Sequence, residues 1–221
     1  MISTAGQPDH SLVVLTGVVA LAAVFVNPLW QVAGHLYTAA HEGGHALAAL
    51  AVGRRVGAIK LHANRGGVTH SYGPSSGPGM IATGVAGYAM PSLMGLGSAA
   101  LLDSGHSPGL LLLAGLAALA CMLLVIRNLV GGIVLLIIGG VLALASYRTD
   151  PLVQTACAYT LTWFLLLSGV RGSFELFRGF GRDSDPAILS RLTVLPGTVW
   201  VLIFAAGSSA ALLIGGRWML T

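Results

Sequence analysis

From Leu110 to Tyr147 the chain is almost uninterrupted hydrocarbon, split only by "IRNL" at 126–129. Apolar stretches of similar length lie on either side, so solvent is the first constraint on the fold. A bilayer core of about 30 Å takes about 20 apolar residues per helix. Seven stretches meet that length, at 12–30, 34–52, 80–102, 108–126, 129–146, 152–176 and 196–215. If the fourth and fifth form one broken hairpin, the number is six. Charged residues make up 8% of the chain and hydrophobic ones 55%, whereas a soluble domain carries about 25% charged residues. No soluble core of this length hides so much apolar surface. The expected fold is an all-α membrane protein, a single polytopic bundle of six to seven transmembrane helices over residues 1–221. The start, "MISTAGQPDHSLVVL", has no basic n-region, so the first apolar segment is expected to remain as a helix.

The formal net charge of +4 does not point to nucleic acid, because the basic residues are thinly spread and flank apolar segments. Cys121 and Cys157 both lie in apolar runs and suggest neither a disulfide framework nor a thiolate metal cluster. Two segments read as non-spanning. Residues 53–79 carry glycine, proline and charge and are expected to form a short cytoplasmic β-hairpin. Residues 177–195 form a polar loop before the last helix. With the N-terminus in the cytoplasm, the inner loops hold Arg54, Arg55, Lys60, Arg65, Arg127, Arg171, Arg178, Arg182 and Arg191, and the outer ones Arg148 and Arg217. That bias predicts N-terminus in and, with seven spans, C-terminus out.

Against this apolar background, "TAAHEGGHALAAL" at 38–50 holds one of only two glutamates in the chain. On an α-helix, residues four apart point nearly the same way, so His41 and His45 stack one turn apart. Glu42 is rotated from His41 by about 100°, near such a pair but outside its first ligand shell. This is the H-E-x-x-H arrangement of zinc hydrolases. There the ion lowers the pKa of a bound water to about 7 and the glutamate takes its proton. A mid-bilayer carboxylate costs about 2.5–3.5 kcal/mol on insertion scales. A shared ion would compensate for three polar side chains in five positions. An interhelical hydrogen-bonded cluster or a proton relay is the competing account.

The run "HEGGHALAALAVGRRVGAIKLHANRGGVTHS" resembles the membrane metallopeptidases related to the site-2 proteases, in particular their small peptidase M50B-like branch. The order of later elements carries the resemblance further: Gly66-Gly67-Val68-Thr69, the glycine-rich "GVAGYAMPSLMG" at 84–95, Arg127-Asn128, and Ser184-Asp185 before the last helix. The resemblance implies Zn2+ as cofactor, Asp185 as the third metal ligand, and Gly66, Gly67, Val68, Thr69 and Asn128 as substrate-binding residues. It also implies a membrane-protein substrate within the lipid bilayer, and the bacterial plasma membrane as location. Asp183 and Asp103 remain rivals for the third ligand, and Asp185 before a proline also reads as a helix N-cap. His35 faces away from the pair, and His62, His70 and His106 read as solvated loop residues. Pro91 is expected to kink the third span. The strand segment 56–72 can offer an edge on which an unwound substrate pairs. A zinc-dependent intramembrane endopeptidase is the leading expectation. A catalytically silent scaffold or partner subunit, and a proton-coupled transporter, are the alternatives.

Overall fold

Prolines punctuate this chain. Pro28, Pro78, Pro108, Pro151 and Pro186 each stand in the first two positions of a helix, where a missing N–H costs nothing and the fixed φ favours the helical start. The computed structural model describes residues 8–147 and 150–221; the N-terminal stretch 1–7 and Arg148 of the charge count lie outside the described residues. The order is α1 (His10–Phe25), α2 (Asn27–Ala51), β1 (Arg55–Leu61), β2 (Gly67–Tyr72), α3 (Pro78–Asp103), α4 (Pro108–Leu123), α5 (Leu129–Tyr147), α6 (Pro151–Glu175), a 3₁₀ turn at Leu176–Arg178, α7 (Asp185–Leu192) and α8 (Gly197–Leu220). The protein is a mostly helical integral membrane protein with one two-stranded sheet. Pro91 sits buried inside α3, which runs on through it as one helix.

Helices α3, α5, α6 with its 3₁₀ extension, and α8 are each long and apolar enough to cross a membrane. Helix α4 has 16 residues, about 24 Å of helix. The two spans expected at 12–30 and 34–52 are joined differently. The break falls at Val26, which is extended (φ −83°, ψ 113°) just ahead of Pro28, and α1 and α2 meet at 97°. Arg171 of α6 holds the corner: it donates to the Val24 carbonyl and to Asn27 Oδ1 (3.3 Å) and lies 4.5 Å over the Trp30 ring. Pro8 and His10 line a cavity with Asp103, at the C-terminal end of α3. At the other end of the pair, Val52 lies beside Gly79 at the start of α3. The bent pair therefore crosses the bundle once. Thr221 lines the same cavity as Pro8, so the two ends of the described chain share one face; by length and composition four helices can cross a membrane, or five with the bent pair as one span, against the six to seven expected.

Helix α3 packs against α2, α6 and α8 at the centre. The expected hairpin is present, antiparallel from Leu61↔Gly67 to Arg55↔Tyr72 with an irregularity between Val56 and Ala58. Arg65 in its turn has φ 65°. The hairpin runs back along α2: Thr69 Oγ1 contacts the Glu42 carbonyl (3.1 Å), Thr38 Oγ1 donates to the Arg65 carbonyl (2.7 Å), and Arg65 Nε donates to Gln31 Oε1 (3.2 Å). The second edge of β1 is covered by residues 125–128. Ile59 N–H donates to the Val125 carbonyl (3.0 Å) and Arg127 N–H to the Ile59 carbonyl (2.9 Å). Asn128 completes the pairing, accepting from Leu61 N–H (3.2 Å) and donating to the Leu61 carbonyl (2.6 Å). "IRNL" is thus more than a gap between spans: it lies against β1 as a third, strand-like segment, leaving the far edge of β2 as the sheet's unpaired side among the described residues.

Candidate metal centre

Helical periodicity brings His41 and His45 together on α2, with Nε2 atoms 3.2 Å apart. Asp185 reaches them as the first residue of α7, its Oδ2 lying 3.2 Å from His41 Nε2 and 3.3 Å from His45 Nε2. The N-cap position belongs to Ser184, not to Asp185. Among the described residues this is the one group of three side chains able to share a metal ion.

The triangle fits a zinc ion by size and by chemistry. Donors about 2.0–2.1 Å from a tetrahedral ion lie about 3.3 Å from one another, which matches all three edges. His45 Nδ1 is 2.7 Å from the Thr83 carbonyl. That carbonyl can only accept, so Nδ1 carries a proton, and in the neutral ring Nε2 is then the atom left to offer a lone pair to a metal. Lone pairs converging on a carboxylate oxygen repel unless a cation lies among them. His41 Nδ1 is buried without a hydrogen-bond partner.

The third wall is α3. A Cβ on Gly87 would clash with the His45 ring and stand 2.7 Å from His41 Nε2, so only glycine lets the helix backbone come this close. The Tyr88 ring meets His41 edge-on, with centroids 4.7 Å apart, and stacks on Phe204. Glu42 is buried between α2 and β2. Thr69 Oγ1 donates to its Oε2 (2.6 Å), and a Cβ on Gly67 would fall 2.6 Å from its Oε1. A cavity of about 250 Å³ opens here, lined by the three clustered side chains, Glu42, Gly67, Val68, Thr69 and Tyr88.

Of the residues singled out in the sequence, His41, Glu42, His45, Gly67, Val68, Thr69 and Asp185 meet at this cavity, with Asp183 on its lining and outside the triangle. Gly66 sits at the hairpin turn, opposed by Asn64 and His62. The Asn128 amide is engaged by the Leu61 backbone rather than by the cavity. Asp103 lies 16 residues beyond Gly87 on α3, about 24 Å away along the helix. His35, His62, His70 and His106 take no part in the cluster. Sequence reasoning missed the Thr83 carbonyl, for which no side-chain pattern exists. Gly87 and Tyr88 stood inside the glycine-rich segment without an assigned role.

No match is found among curated proteins or among solved structures. A family model, Peptidase M50B-like, matches residues 14–215, a range that takes in α2, the hairpin, α3 and α7. By that match the chain belongs to the peptidase M50B-like family.

Proposed function

We propose that this protein is a zinc-dependent intramembrane endopeptidase, with His41, His45 and Asp185 as metal ligands and Glu42 as general base. The observation that carries the reading is the triangle of donors with 3.2–3.3 Å edges beside a buried glutamate. Bound zinc supplies Lewis acidity, polarising the scissile carbonyl and acidifying water. The chain supplies the rest. Glu42 takes the proton released by the attacking water and hands it to the leaving amine. The Thr69 hydroxyl fixes one carboxylate oxygen of Glu42, leaving Oε1 on the side of Gly67 to exchange that proton. The unpaired edge of β2, at Gly67–Thr69, receives the unwound substrate as an added strand, which satisfies backbone groups that lipid would leave bare.

The cation bias makes the end of the bundle bearing the hairpin and the 176–196 loop the cytoplasmic one. Because Pro8 lies at the opposite end, this sidedness puts the start of α1 outside, the reverse of the orientation expected with seven spans. The membrane is proposed to be the bacterial plasma membrane.

Metal analysis of the purified full-length chain should find about one zinc per molecule, lost in His41→Ala and His45→Ala. Glu42→Gln should keep the zinc and lose hydrolysis of a membrane-protein substrate by about 10²–10⁴-fold or more. A folded wild type that takes up no zinc defeats the proposal. Full zinc with an activity indifferent to Glu42→Gln leaves a silent scaffold that has kept the fold.

A further inference from the structure

The loop that delivers Asp185 has a second face. It joins Arg178, where one span-length helix ends, to Gly197, where another begins, so it lies at the level where a bilayer meets water. Its inner side is packed: Leu176 and Leu189 are buried with Trp200, Val201 and Phe204. Its outer side is unusually apolar for a solvent-facing loop. Val194 is 98% exposed, Phe180 and Leu195 also face out, and Phe174 and Phe177, in the last turns of the span that leads into the loop, are each about half exposed. Interleaved with them are three exposed arginines, Arg178, Arg182 and Arg191, none of which pairs with a carboxylate among the described residues. Arg191 donates to the Arg182 carbonyl (2.8 Å), which brings two of the three together. The acids of the segment are otherwise placed. Glu175 is bonded to Arg171 (2.9 Å) and Asp185 to the histidines, leaving Asp183 as its exposed carboxylate.

We infer that the 174–195 face is an interfacial anchor whose arginines bind the phosphates of anionic phospholipids while its phenylalanines and Val194 enter the acyl boundary. Acyl carbon and anionic phosphate lie within a few ångströms of one another only at a bilayer surface, where phenylalanine and aliphatic side chains dip into the acyl boundary while arginines snorkel to the headgroups. The charge is complementary, and the loop's height is fixed by the two spans it joins. A headgroup held by Arg191 also steadies α7, whose first residue is Asp185 and whose Leu189 sits under Gly84 of α3. That last consequence rests on the metal reading; the lipid contact does not.

The test reconstitutes the full-length protein in nanodiscs of phosphatidylcholine mixed with phosphatidylglycerol and counts each lipid retained on the protein by native mass spectrometry. Wild type should retain phosphatidylglycerol preferentially. The preference should fall by about fivefold per arginine removed in R178Q, R182Q and R191Q and their combination, and survive when all three are lysine. The single variants keep the test readable if the triple glutamine variant does not fold. Unchanged preference in folded glutamine variants overturns the proposal. So does retention of a second copy of the chain in place of lipid, read as a dimer mass lost when Val194 is changed to serine.

Discussion

Helix α3 has a histidine–aspartate assembly near each end, and only one of them looks like a site. Near its start, His41, His45 and Asp185 place three donor atoms within about one zinc coordination shell of each other. At its C-terminal end, His10 and Asp103 line a cavity of about 120 Å³ with Tyr159 and Trp218, and no third donor joins them among the described residues. Residue types are nearly the same in the two places. What differs is the scaffold: two imidazoles locked one turn apart, a carbonyl that fixes the proton on one of them, and a glycine that lets α3 close the third side. A metal site is a convergence of lone pairs, and composition alone does not supply it.

The sharpest way to break the comparison is to remove one aspartate from each assembly. Asp185→Asn should reduce zinc content from about one per molecule to near zero, because its amide is a far weaker ligand than a carboxylate and leaves two imidazoles to hold the ion. Asp103→Asn should leave zinc and activity unchanged. Zinc loss in both would mean that the far cavity supports the site in a way its geometry does not indicate.

A contrast within α3 itself comes next. Gly87→Ala forces a methyl group into the space of both imidazoles, and by analogy with the loss of supporting contacts around metal ligands it should weaken zinc binding by about 10–100-fold. A Cβ on Gly97 would meet nothing within 4 Å. Gly97→Ala should therefore leave zinc affinity alone and stabilise the helix by up to about 1 kcal/mol. Chelator competition and thermal unfolding on the same two variants read both effects.

The near-start assembly was partly legible in the sequence. The four-residue spacing of His41 and His45 follows from helix geometry alone, and the hairpin from its glycines and polar flanks. Asp185 stands 140 residues after His45, so only the order of family elements pointed to it; nothing local did. The bend between α1 and α2 was half visible. Pro28 marks a break, but the 97° angle is held by Arg171, which bonds across 147 residues to Val24 and stacks on Trp30. The strand-like role of 125–128 was invisible because its partners are backbone groups of β1, and a backbone carbonyl leaves no mark on the pattern of side chains.

Thr69 separates positioning from ligation within the site. Thr69→Val keeps the shape and removes the hydroxyl that donates to Glu42, leaving one oxygen of a buried carboxylate unpaired. A lost hydrogen bond to a charged group is worth about 1.5–3 kcal/mol, so kcat should fall by about 10–100-fold with zinc content unchanged. Thr69→Ser should restore most of it. A change confined to KM would instead make Thr69 a substrate contact, the role expected of it from the sequence.

The smallest effect is expected at Asn128, where the sequence expectation and the geometry diverge most. Its amide forms both a donor and an acceptor bond with Leu61 on the covered edge of β1, and the cavity lies on the far side of β2. Asn128→Ala leaves Leu61 N–H and C=O without partners at a part-buried site and should cost about 1–3 kcal/mol of stability. Zinc content and KM should stay at wild-type values. A variant of normal thermal stability with a raised KM would return Asn128 to the substrate and remove the reason for treating residues 125–128 as the closure of the sheet's other edge.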